Sequence, residues 1–97
     1  MKYNSNNYNQ ISEFIDYIRN IRKYSEHTIR SYNTDLIQFS KYLYKCDKKL
    51  LILDIEKQNI QEFLFSLHAK KKSDKTIARK VATLKSLFGY MVKHNIL

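Results

Sequence analysis

Apolar residues along this chain recur at intervals of three and four, the spacing that gathers side chains on one face of an α-helix. Ile11, Phe14, Ile15, Ile18 and Ile21 form the first stripe and predict a helix from about residue 9 to Arg22 or Lys23. The Asn-rich segment 1–8 has no period and is expected to be a flexible leader. Ile29, Tyr32, Leu36, Phe39, Leu43 and Cys46 then step by three and four without a miss. Ser25 and Glu26 supply an N-cap and a first-turn acid for that second helix. Segment 47–55 mixes charge with aliphatic residues and reads as a connection, with Leu50, Leu51 and Leu53 partly tucked under the core and Asp54 as the next cap. Ile60, Phe63, Leu64 and Leu67 mark a third helix, which gives way at Lys70, Lys71, Lys72, Ser73 and Asp74. Ser73 caps a fourth helix with the stripe Ile77, Val81, Leu84, Phe88 and Met91, where Ala78 and Ala82 would let a neighbour approach.

Four amphipathic helices with short links predict an all-α, compact four-helix bundle, a single domain over 9–97. One Gly and no Pro leave little to interrupt a helix. A chain of 97 residues has enough surface to bury for one modest core.

Charge narrows the partner. Eighteen Lys and Arg against nine Asp and Glu give a net charge of +9, which favours a polyanion, nucleic acid before an anionic membrane. No apolar run approaches the roughly 18 residues that span a bilayer, and the amino terminus is polar, so a cytoplasmic protein is expected. Cys46 has no second cysteine to pair with and, at the end of an apolar stripe, is expected to be a buried structural thiol.

Catalytic signatures are missing: no glycine-rich phosphate loop, no nucleophile elbow and no Cys/His cluster spaced for zinc. His27, His68 and His94 are dispersed over different helices, and Glu26, Asp54 and Asp74 sit where capping and the helix dipole account for them. No catalytic residue, metal or cofactor is therefore expected.

Two helix faces are more informative. Opposite the stripe of the second helix lie His27, Ser31, Thr34, Gln38, Lys41 and Lys45, with Arg30 alongside and no acid among them. The outer stripe of the fourth is Arg79, Thr83, Ser86, Tyr90 and Lys93, and Lys71, Lys72, Lys75 and Thr76 surround its positive dipole end. Such side chains bond phosphate oxygens and base edges, and a helix fits the major groove. The competing reading is two ordinary solvated faces. Tyr32, Tyr42, Tyr44 and Tyr90 offer rings for stacking on bases, but their dispersal, and the place of Tyr32 in the core stripe, favour packing.

Two segments carry a family resemblance. Ser25-Glu26-His27-Thr28-Ile29-Arg30-Ser31-Tyr32-Asn33-Thr34-Asp35-Leu36 resembles the Ser-x-x-Thr-x-x-x-Tyr-x-x-Asp-Leu opening of the second helix in the core-binding domain of tyrosine recombinases, the Xer-type and phage-integrase family. Segment Ser73-Asp74-Lys75-Thr76-Ile77-Ala78-Arg79-Lys80-Val81-Ala82-Thr83-Leu84-Lys85-Ser86-Leu87-Phe88 is similar to that family's fourth-helix segment, with Lys85 and Leu87 where Arg and an aromatic residue are frequent. Ile60 to Leu64 stands where the family has its third helix, so the resemblance runs from about Gln10 to Leu97. It implies a SAM-like bundle forming half of a C-shaped clamp on double-stranded DNA, its second and fourth helices in the major groove. The implied DNA-contacting residues are His27, Thr28, Arg30, Ser31, Thr34 and Lys41 on one helix, and Lys72, Lys75, Thr76, Arg79, Lys80 and Thr83 on or before the other.

The resemblance also implies contact between neighbouring protomers on DNA. The edge formed by Phe14, Tyr17 and Ile21 is the candidate protein interface of a chain expected to be monomeric when free, set against the slightly favoured reading that Ile11, Phe14, Ile15, Ile18 and Ile21 are all core. In the family two Arg, a Lys, His residues and a Tyr nucleophile act in a downstream domain that has no counterpart here. The chain is thus expected to be a non-enzymatic piece of a DNA-cutting and rejoining recombinase, with none of its eight Tyr the nucleophile. The rival readings are a helical protein-interaction module, or a stand-alone regulator, which would need a short recognition helix after a tight turn.

Overall fold

Residues 4–97 are described by the structure, a computed structural model, and order begins earlier than the hydrophobic period suggests. Asn4 is an N-cap whose side-chain oxygen accepts from the backbone N–H of Asn6 at 2.9 Å and of Asn7 at 3.3 Å, and helix α1 runs Ser5–Asn20. The leader expectation is corrected for residues 5–8, which are helical; its first three residues lie outside the described ones. The physical reason is Asn7, only 1% exposed. Its Nδ2 donates to the Leu50 carbonyl at 2.9 Å and its Oδ1 accepts from Ile52 N–H at 2.8 Å. Asn4 Nδ2 adds a bond to the Lys48 carbonyl at 3.2 Å. A connection without a strand partner has backbone groups to satisfy, and the amides at the start of α1 satisfy them.

Helix α2 spans Glu26–Cys46, with Ser25 as its cap. In the connection Ile52 goes to the core at 1% exposure, while Leu50, Leu51 and Leu53 are half-buried as expected. Asp54 does not cap: it closes a short 3-10 turn, Ile52–Asp54, and α3 (Lys57–Ala69) starts from Glu56, whose N–H donates to Asn59 Oδ1 at 2.7 Å. Helix α4 spans Asp74–Lys93 from the cap Ser73.

Helix α1 lies along α2, both meet α4, and α3 packs on α4. Phe14, Leu36, Phe39, Leu43, Leu87 and Met91 fill the centre, each contributing about 1.5–3 kcal/mol by leaving water. Phe63 brings α3 against α2, its ring 5.0 Å from Phe39 and 5.1 Å from Tyr42. The radius of gyration of 13.0 Å is that of a packed chain of this length.

The inward face of α4 is rotated from its apolar stripe. Lys80 and Thr83 are buried there together with Ile77, Leu84, Leu87 and Met91, Val81 and Phe88 are half-buried, and Ala78 and Ala82 face solvent rather than a neighbour. Cys46 is likewise corrected, being exposed because α2 ends with it, past the cover of the other helices. Nearby, burial pushes the Tyr42 hydroxyl up to about 12, with help from its hydrogen bond to Cys46 and the charge of Glu62.

Helices end without glycine. Lys23, Lys71 and Asn95 take left-handed backbone, φ 57°, 58° and 58°. At the end of α3, Lys72 N–H bonds Leu67 O at 3.1 Å and Lys71 N–H bonds His68 O at 2.9 Å, a Schellman closure, and Ile96 and Asn95 repeat it on Met91 and Val92 after α4. Among the described residues no helix is long and apolar enough to cross a membrane, and no group of His, Cys, Asp or Glu is placed to hold a metal ion.

Candidate nucleic-acid interface

The openings of α2 and α4 are twins. Ser25 Oγ donates to Thr28 Oγ1 at 3.0 Å and accepts from Thr28 N–H at 3.2 Å; Ser73 and Thr76 repeat both distances. One acid follows each cap, Glu26 and Asp74, satisfying the local dipole. His27 and Arg30 after the first cap and Lys75 after the second are exposed.

From there α2 and α4 converge on one shallow concavity, lined by His27, Arg30, Ser31 and Thr34 of α2 and Arg79 of α4. What brings the helices together at this point is Asp35, buried at 4% exposure. Arg79 grips its carboxylate with both arms, Nε to Oδ2 at 3.1 Å and Nη2 to Oδ1 at 2.9 Å. Lys80 Nζ donates to Oδ1 at 2.8 Å and also to Gln38 Oε1, and the Thr83 hydroxyl lies 3.2 Å from Oδ2. Burial pushes the Asp35 carboxyl up, but hydrogen bonds from Arg79 and Lys80, and then their charges, outweigh it and hold the group below the ordinary carboxylate value. The same hydrogen bond raises Arg79 above its usual value. One carboxylate facing two cations leaves the cluster with a surplus positive charge, and Arg79, its side chain 48% exposed, presents that surplus to solvent.

The expected DNA-contacting residues therefore divide. His27, Arg30, Ser31, Thr34 and Arg79 are brought together. Lys72 and Lys75 are exposed around the start of α4, Thr28 and Thr76 are half-buried in the caps, and Lys41 is exposed but lies further along α2, outside the concavity. Among the described residues none of Arg30, Lys41, Lys72 and Lys75 is ion-paired. Lys80 and Thr83 are corrected: at 5% and 0% exposure they face Asp35, not a ligand. Asp35, which ties the two helices at this concavity, is not among the residues that helical spacing singles out. Its signal was available, an acid beside the core-stripe Leu36 in a helix with no other acid past its first turn.

The expected protein interface divides as well. Phe14 is core at 1% exposure, as the core reading of the stripe has it and not an interface residue, whereas Ile21 is 68% exposed just past the end of α1 and departs from that reading. Tyr17 is half-buried, its ring 4.8 Å from Tyr90 and 5.0 Å from His94. Tyr32 packs, as its stripe position predicts, parallel to Phe14 at 6.5 Å.

Comparison with known proteins places these features. The family described as phage integrase, N-terminal SAM-like domain, matches residues 11–95. The chain is 31% identical over 83 residues to tyrosine recombinase XerC of Anoxybacillus flavithermus, covering 86% of this chain and 27% of that protein. It is 34% identical over 84 residues to XerC of Staphylococcus aureus strain JH9, with 84% and 27% covered, and 30% identical over 87 residues to XerC of Listeria innocua, with 87% and 28% covered. The chain thus spans about a quarter of the length of these relatives. No solved structure matches. With an all-helical bundle of the expected four helices and a family match over most of its length, the chain belongs to the N-terminal SAM-like domain family of phage integrases and tyrosine recombinases.

Proposed function

We propose that this domain grips double-stranded DNA as the N-terminal half of a clamp, in a protein that cuts and rejoins DNA as a tyrosine recombinase in the cytoplasm. The observation that carries the reading is the joining of two acid-poor helix faces at one concavity, with Arg79 held at its edge by a buried carboxylate. A guanidinium already fixed loses less freedom when it meets a phosphate. Arg30 in the concavity and Lys72 and Lys75 around the start of α4 add charge that is not ion-paired among the described residues. In this reading the free domain is a monomer, and neighbouring protomers meet only on DNA.

The test is titration of the 97-residue chain with a short duplex at several salt concentrations. About five phosphate contacts give a log-log slope of roughly −4.5. Arg30→Ala and Lys75→Ala should weaken binding, with Lys48→Ala, in the distant connection, as the neutral reference. Affinity independent of salt, or equal small losses in all three variants, defeats the proposal and favours a protein-interaction module.

A further inference from the structure

A second concavity opens between α1, the α1–α2 link and the later half of α4. Tyr17, Tyr24 and Tyr90 wall it, and Arg22, Lys85 and Lys93 surround it. Its volume of about 220 Å³ is many times what one ordered water needs. The rings are held by their neighbours: Tyr90 lies 5.3 Å from Phe14 and 4.8 Å from Tyr17, and Tyr24 stands edge-on to Tyr32 at 6.1 Å. No acid lines this cleft, and none of the three cations is ion-paired among the described residues.

Gly89, the one glycine of the chain, also lines the cleft, in the body of α4. Glycine weakens a helix interior relative to alanine, so its presence needs a reason. Backbone geometry gives none, because its φ is not positive. Internal packing gives none either, because a Cβ built at this position meets nothing within 4 Å. The remaining reason for a bare backbone is close approach by something outside the chain.

An anionic visitor suits a cleft with three cations, no carboxylate in its lining and no ion pair among the described residues, Arg22 resting over the Tyr24 ring at 5.6 Å. A second copy of a chain with net charge +9 is a poor match. Ser86 and Lys93 follow Arg79 along α4 at seven-residue steps, each close to two turns, so the cleft lies on the same face of α4 as Arg79. We propose that the cleft is a separate phosphate subsite, taking one sugar-phosphate unit of a DNA strand beyond the part gripped at Arg79. The tyrosine walls lie against the sugar, Ser86 and the flanking cations bond the phosphate, and Gly89 gives the strand room. This rests on the clamp reading above.

The test plugs the cleft. Gly89→Leu meets no Cβ clash and should melt at or above the parent's temperature, while lowering affinity for a short duplex several-fold and flattening the salt slope by roughly 0.9 per lost phosphate contact. Lys93→Gln should do the same without filling the cleft, and decides the matter if Gly89→Leu does not fold. Folded variants that bind DNA like the parent, while Arg30→Ala loses affinity, overturn the subsite and leave the clamp reading standing. A parent without salt-dependent binding removes both. Variants that spare DNA binding but change self-association in sedimentation overturn the subsite in favour of a protein partner.

Discussion

Asn7 and Asp35 are both almost fully withdrawn from water, and each bonds a group 45 residues away in sequence, Ile52 N–H for one and Lys80 Nζ for the other. The first is a neutral amide meeting two backbone groups, one donor to one acceptor each way. The second is a carboxylate meeting two cations and the Thr83 hydroxyl, with Gln38 accepting a further bond from Lys80. The neutral tie is indifferent to pH and salt and belongs where only the connection must be held. The charged tie is costly to build and conditional, but it can fix an exposed guanidinium, which a neutral amide does not do. Their difference separates a tie confined to the fold from one that reaches the candidate surface.

Asp35→Ala should break the comparison most strongly, because it strands Lys80 as a buried unpaired charge: a loss of about 3–5 kcal/mol in denaturant unfolding. Asn7→Ala leaves Ile52 N–H and the Leu50 carbonyl unsatisfied and should cost about 1–3 kcal/mol, with no change in the salt slope of DNA binding at concentrations where the domain is folded. Acid sharpens the contrast. Since the folded Asp35 carboxyl sits below its unfolded value near 3.8, its stabilisation is complete above that value and drains away as pH falls through the depressed one. Melting followed from pH 6 downward should therefore show a component that Asp35→Asn removes and Asn7→Ala keeps. Ser25→Ala and Ser73→Ala each lose a cap and should cost about 1 kcal/mol, similarly because the two caps share one geometry. The smallest effect belongs to Ser40, whose buried hydroxyl has no partner among the described residues. Ser40→Ala should be neutral or stabilising by up to about 1 kcal/mol; a loss like that of Asn7→Ala would mean an unseen bond there.

Most of the fold was legible because hydrophobic period reports which face meets the core. Helix α2 was read to its ends from Ser25 and an unbroken stripe. Period is blind to polar burial, and the corrections at the start of α1 and on the inward face of α4 trace to that. The Asn-rich start read as a leader because amides carry no apolar signal, although Asn4 and Asn7 fold it. The inward face of α4 was misplaced because Lys80 and Thr83, polar residues, supply part of it. In the candidate site, the exposed members His27, Arg30 and Thr34 follow from helical spacing alone. Their organiser, Asp35, did not, since its partners lie 44 to 48 residues away and spacing within one helix cannot reach them.

The two polar ties also overlap along the chain. One closes a loop from residue 7 to 52, the other from 35 to 83, and they share residues 35–52. Neither half of the chain owns a complete set of contacts: a piece ending near residue 55 keeps Asp35 without its cations, and a piece starting there keeps the cations without the acid. Closing one loop shortens the other, so the entropy of the second closure falls once the first has formed. The consequence is kinetic as well as thermodynamic. Local helices should form first and the interlocked closures together as a single late step, and protection of backbone amides against exchange should be lost from α1, α2 and α4 at one free energy rather than helix by helix.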